Sequence, residues 1–290
     1  MSELTTTTFA SNGQVLVHET PELLADALVA FRTDLAETPA WTGAPNPTDE
    51  FLTMFLRAEV FIPSMAAKRY RRFWEMKVEL WGEETAALPL KVENERGALD
   101  SKFFQIVPGA RDREERQEHR HTAVLHRPPF LALTVVQVVF VDVGARDQRY
   151  DVKENVRAVW YVMLAALEDV ETQRRGVCII SSMKTVKPAQ VNVKFIKTVL
   201  RSIQGAIPLR FGSMNLCYPP VFFRVVWSLV NKFMAKRLKK RVRVIPGPDS
   251  SILPGLDPVV TPANVPSVPM LGEVELDFAA WLDHRFQAGK

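Results

Sequence analysis

Apolar residues recur at helical spacing early in the chain. Leu23, Leu24, Ala27, Leu28, Phe31 and Leu35 fall on one broad face behind Thr20 and Pro21. This predicts a helix from Pro21 to Glu37, with Thr20 as N-cap and proline in the first turn. A turn-rich stretch from Pro39 to Pro47 follows. A second helix is expected from near Thr48, carrying Phe51, Leu52, Phe55 and Leu56, and Pro63 opens a third through Ala66, Tyr70, Phe73, Trp74 and Trp81. Three helices with short connections favour antiparallel neighbours. The reading is a helical unit over 20–85 behind a flexible lead-in, 1–19.

Residues 83–127 carry no readable period, and Arg111–Glu118 reads as a solvated helix face or exposed loop. After Pro128-Pro129 the pattern changes. Phe130 to Val143 is a β-branched apolar run expected to be a buried strand. Helix is expected from Val152 to Val170, strand over Gly176–Ile180, helix from Pro188 to Gln204 and strand over Arg210–Leu216. Helix is then expected from Val221 to Arg237 and strand over Val242–Ile245. Such alternation implies crossover units and a parallel or mixed sheet, an α/β fold. The tail from Ile252 to Pro269 reads as irregular. A last helix is expected over Val274–Phe286, with Leu276, Ala280 and Trp281 inward.

Apolar residues are 47% of the 290-residue chain and charged residues 24%, enough for a full core. Cys178 and Cys217 lie in apolar runs and read as buried free thiols of a reducing compartment. Met1 to Asn12 does not resemble a secretory signal, and no apolar run is long enough to span a bilayer. Charge adds more. Between Thr172 and Pro248 lie sixteen Lys and Arg and not one Asp or Glu; the remainder holds 21 basic and 33 acidic residues, a balance of −12. Such a stretch should attract a polyanionic surface.

Catalytic patterns are missing. Gly144 alone makes no phosphate loop, and Ser181-Ser182 has no assignable base. His119, His121 and His126 read as a solvated cluster rather than a metal site, and Asp142 and Asp147 as loop carboxylates. The chain is expected not to be an enzyme, with no metal and no cofactor.

The segment 205–247 is the most informative. Phe222, Val226, Leu229 and Phe233 form one stripe of a nearly all-apolar helix; Phe223, Trp227, Val230 and Met234 form another. A cationic run, Lys236 to Arg243, follows at once. A buried core helix would be apolar all round. A lid would cover a cavity with the first stripe and turn the second to a membrane interface. The spacing leaves both open.

Here the sequence resembles the CRAL-TRIO lipid-binding family. Ile207-Pro208-Leu209-Arg210 resembles its aromatic-Pro-Leu-basic turn, Asn215 to Pro219 its Asn-x-Pro element, Phe222 to Phe233 its gate helix and Lys236 to Arg241 its basic end. Phe51 to Ala58 resembles the N-terminal helical signature, Thr172 to Val177 the lead into the second core strand, and Pro269 to Trp281 the closing segment. Ser181 stands where an Asp is usual, Glu59 replaces an Arg, Gly272 stands for a Gly-Gly, and Leu209 replaces the Glu of phosphatidylinositol-binding members.

The resemblance implies a gate helix over an apolar cavity in a domain spanning 100–285. It implies a cavity lined by Phe195, Ile203, Leu216, Phe222, Val226, Leu229 and Phe233. Counterparts of a phosphoinositide-gripping cluster are Lys68, Arg210, Arg237 and Arg241, with Gly212 at one further basic position and Lys239 and Lys240 extending the run. The expected function is lipid transfer between membranes by a cytoplasmic, transiently membrane-associated monomer. The alternative is a scaffold that binds nucleic acid or protein through 172–248. No RNA-binding or helix-turn-helix motif matches.

Overall fold

A computed structural model describes residues 7–9, 15–107, 137–257 and 259–290. Threonines set the first helix starts. Thr20 and Thr48 hydroxyls accept the N–H of Leu23 and Phe51, both at 3.2 Å, opening α1 (Pro21–Glu37) and α2 (Asp49–Ala58). Pro63 opens α3 (Pro63–Trp81). Edge-to-face rings join these helices: Tyr70 meets Phe55 at 5.3 Å and Phe31 at 6.0 Å. Part of the expected flexible lead-in is paired, since β1 (Thr7–Phe9) and β2 (Val15–Val17) run antiparallel.

The stretch without a readable period holds α4 (Glu83–Ala86), α5 (Val92–Leu99) and β3 (Phe104–Val107). β3 is only four residues long and all four are buried, so no alternation betrays it. Arg111–Glu118 and the three clustered histidines lie outside the described residues, as do residues 130–136 of the expected strand.

The main sheet has five strands in the order β3, β4 (Val138–Asp142), β5 (Val177–Ser182), β6 (Phe211–Cys217), β7 (Val242–Ile245). β3 is antiparallel to β4, and the other neighbours are parallel. The crossovers are α6 (Val152–Ala166) with α7 (Val170–Arg175), α8 (Val193–Gly205), and α9 (Phe223–Phe233) with α10 (Lys236–Lys239). An Asp151–Glu154 capping box starts α6, and Asn192 caps α8. Three expected helices are therefore shorter. The first stops at Ala166. The second begins at Val193, after a separate turn at Pro188–Gln190. The third breaks at Met234, which is extended (φ −86°, ψ 131°).

Strand alternation divides the core. Val139 and Ile179 face α3, α6 and α8, while Val138, Phe140, Cys178 and Ile180 face the opposite side. There they meet Ile252 and Leu256 of α11 (Asp249–Leu256), a helix in the stretch read as irregular. Both cysteines are buried, and neither forms a disulfide. In α12 (Phe278–Gln287), Phe278 and Leu282 are buried, Trp281 is half-buried and Ala280 is exposed, against the expectation for Ala280.

Candidate functional site

Between the α8 side of the sheet and α9 lies a cavity of about 240 Å³. β5 and β6 contribute alternate residues, Ile179 and Ser181, Met214 and Leu216. α6 adds Val159 and Met163; α8 adds Phe195, Ile196, Val199 and Ile203. α9 closes the cavity with Phe223, Val226, Trp227 and Val230, flanked by Phe222 and Met234. Phe223 and Trp227 stack, ring centroids 5.5 Å apart. No residue of α9 is fully buried, and Val225 on its outer side is 75% exposed. A core helix has a buried stripe; α9 rests over empty space.

Five sequence-derived cavity residues line this space: Phe195, Ile203, Leu216, Phe222 and Val226. Leu229 and Phe233 do not. At 3.6 residues per turn they stand roughly 120° and 80° round the helix from Phe223. Phe233 instead borders a polar groove with Arg72 and Arg201. The expected division of stripes thus does not hold: the whole second stripe, Phe223, Trp227, Val230 and Met234, lines the cavity together with Phe222 and Val226 of the first. On an all-apolar helix, periodicity finds two stripes without ranking them; here the sheet ranks them.

The junction of α9 and α10 is held by a residue that sequence reasoning missed. Gln204 of α8 donates from Nε2 to the Phe233 carbonyl (3.2 Å) and accepts the Ala235 N–H at Oε1. A glutamine near a helix end carries no signal for such a clamp.

Much of the acid-free stretch finds acids supplied from outside it. Arg174 pairs with Glu19 and Glu171, Arg175 with Glu171, Lys184 with Asp249, and Arg201 with Glu79. Glu59, buried between α2 and α3, holds Arg69 at 2.6 Å and Arg237 at 3.5 Å. Arg210 shares this neighbourhood. Burial first, then the charge of Arg241, holds its guanidinium down at about 10, with Glu59 opposing and Arg237 reinforcing. Arg210 donates to the backbone oxygens of Arg174 (2.7 Å) and Val15, so it fastens β2 to the sheet rather than facing outward freely. Lys68, Arg237, Lys239 and Lys240 are exposed, and Arg241 is half-buried. The outer side of α9 adds exposed Arg224 and Lys232 beside Val221 and Val225.

Residues 132–266 match the CRAL/TRIO domain family. The chain carries a CRAL/TRIO domain. The crystal structure of Sfh5 superposes with a TM-score of 0.54 at 12% identity, covering 93% of this chain and 99% of that one. Tyrosine-protein phosphatase non-receptor type 9 of Mus musculus is 24% identical over 266 residues, 90% of this chain and 40% of the relative. Clavesin-1 of Pongo abelii is 19% identical over 232 residues, 78% of this chain and 58% of that one. Alpha-tocopherol transfer protein-like of Mus musculus matches over 95 residues at 24%, 32% of this chain and 28% of the relative. The chain thus spans less than two thirds of these curated relatives, and the phosphatase activity in the first name belongs to a longer protein. CRAL/TRIO proteins are in general lipid carriers rather than enzymes, and a CRAL/TRIO domain implies lipid binding or transfer. Among the described residues no helix is long and apolar enough to cross a membrane, and no group of three or more His, Cys, Asp or Glu could hold a metal ion.

Proposed function

We propose that this chain takes one lipid into the cavity beneath α9 and transfers it between membranes, docking transiently through its basic side. The observation that carries the reading is α9 itself. It turns an apolar row inward over a cavity, has no fully buried residue, and presents Val225, Arg224 and Lys232 outward, just after exposed Val221. An outer face of apolar and cationic residues suits the interface of an anionic membrane. Each buried CH₂ contributes about 0.8 kcal/mol, so a chain lying along this wall binds without a covalent step.

Residues 20–85 form the helical unit of this carrier and 100–285 its lipid-binding domain. Lys68, Arg237, Lys239, Lys240 and Arg241, with Arg210 behind them, supply the attraction for anionic lipid, phosphoinositides included. The carrier acts as a monomer in the cytoplasm.

Mass spectrometry of an organic extract of the purified protein should find a lipid in stoichiometric amount. Replacing Arg237, Lys239, Lys240 and Arg241 by Ala should weaken cosedimentation with anionic vesicles, each cation contributing on the order of 1 kcal/mol. Salt should weaken it likewise. No extractable lipid, together with copurifying absorbance near 260 nm, would replace this reading with nucleic-acid binding.

A further inference from the structure

Among the described residues, one charged side chain lines the cavity: Arg146. It follows β4 and the turn Val143–Ala145, at the carboxyl end of the parallel strands. Arg146 is 8% exposed. One N–H donates to the Gln190 carbonyl at 2.7 Å, and the guanidinium carbon lies 4.9 Å from the Phe195 ring centroid. No carboxylate of the described residues pairs with it. The acids nearest in sequence are engaged elsewhere: Asp142 accepts the Gly144 N–H at 3.1 Å, and Asp147 pairs with Arg149 at 2.7 Å. A buried cation without a counter-ion is costly, and a guanidinium has five N–H donors to satisfy.

The other polar groups of the wall narrow the partner. Gln190 is occupied, donating to the Gly144 carbonyl (2.8 Å) and accepting the Lys187 N–H (2.7 Å). Asn192 accepts the Phe195 N–H at 2.9 Å. Ser181, 6% exposed on the floor, has no side-chain hydrogen bond among the described residues. Among the described residues the cavity thus offers a ligand one fork of donors with a single positive charge, one hydroxyl and the Asn192 amide donor, set in an otherwise apolar wall. Parallel N–H donors match a planar two-oxygen anion, and one cation balances one negative charge. A phosphorylated inositol would bring charges and hydroxyls that this wall leaves unpaired.

We propose that Arg146 is the headgroup receptor of the cavity, and that its ligand is a lipid with a terminal carboxylate whose chain lies beneath α9. This rests on the lipid-uptake reading above. The test titrates the full chain with the fluorescent polyene cis-parinaric acid and with its methyl ester, at about pH 8, where the acid is ionised. The native protein should bind the acid about tenfold more tightly than the ester or better, since a charge-assisted hydrogen bond is lost in the ester. Arg146→Gln should abolish that preference and leave ester affinity unchanged, and Arg146→Lys should restore part of it. Equal affinity of the native protein for acid and ester overturns the proposal, as does an equal loss for both probes in Arg146→Gln. If that variant fails to fold, the native comparison still decides. Failure of both probes to bind the native protein overturns lipid uptake itself, a result distinct from loss of headgroup preference.

Discussion

Gln204→Leu removes the clamp on the α9–α10 junction while keeping an apolar stem in place. Two neutral hydrogen bonds across the junction are lost, one to the Phe233 carbonyl and one from the Ala235 N–H, besides a donation to the Leu200 carbonyl within α8. Both face solvent, so each contributes about 0.5–1 kcal/mol, and together about 1–2 kcal/mol. That favours the open state of the lid by a factor of about 5–30. The sheet beneath does not depend on this contact. Amide hydrogen exchange read by mass spectrometry should therefore show peptides from 223–233 exchanging about 5–30-fold faster in the variant. Peptides from β5 should be unchanged, and lipid transfer between vesicles should quicken. Gln204→Glu keeps the acceptor for Ala235 but loses the donor to Phe233, and should fall between. Unchanged exchange across 223–233 in a folded variant, or equal acceleration in β5, would refute the clamp.

Val225→Asp places a charge on the exposed side of α9 and should change stability by no more than about 0.5 kcal/mol while weakening adhesion to anionic vesicles. Val230→Asp places the same charge in the cavity wall and should abolish lipid uptake in a ligand-loading assay. Leu52→Ala, at a fully buried position, should cost about 2–5 kcal/mol in urea unfolding. Burial pushes the Glu19 carboxyl up, but the Arg57 and Arg174 hydrogen bonds and charges outweigh it and hold it below the usual value of 4.5. A depressed acid stabilises the fold above its unfolded pKa, and that stability is lost as pH falls through the depressed value. The melting temperature of native protein should exceed that of Glu19→Gln at neutral pH, and the gap should close below pH 4.5.

The helix starts at Thr20, Thr48 and Pro63 were legible because capping chemistry is local. The strand–helix order was legible because short apolar runs alternate with amphipathic stretches of helical length. β3 was not, being four buried residues without alternation. α11 was hidden by Pro254, which helix rules place outside a helix interior although Asp249–Leu256 forms around it. Within the site, Phe195 and Ile203 of α8 were legible through the family resemblance and their apolar character, whereas α9 gave a choice of two stripes that only the sheet resolves. In the sequence Arg146 is one basic residue between Asp142 and Arg149, with no local pattern to single it out. Its meaning depends on burial beside Phe195, 49 positions later, and on the lack of a paired acid among the described residues, and neither is a property of local spacing. The charge run was legible as composition but overstated, because Glu19, Glu59, Glu79, Glu171 and Asp249 reach it from other segments.

The helical unit and the sheet do not meet as two finished bodies. One apolar cluster runs unbroken from Ala27 to Leu282, and Phe73 of α3 stands 5.2 Å from Trp160 of α6. Arg69 ties α3 to the Ile207 carbonyl across 138 positions of chain. Contacts this distant in sequence close only after much of the polypeptide has been ordered, which slows folding. During synthesis the N-terminal helices leave the ribosome first, with the aromatic face around Phe73 and Trp74 still lacking its partners. In that interval the nascent chain is a sticky intermediate and a natural client for chaperones. The finished protein should melt in one cooperative step, and the helical unit is not a module that can be cut away and grafted elsewhere.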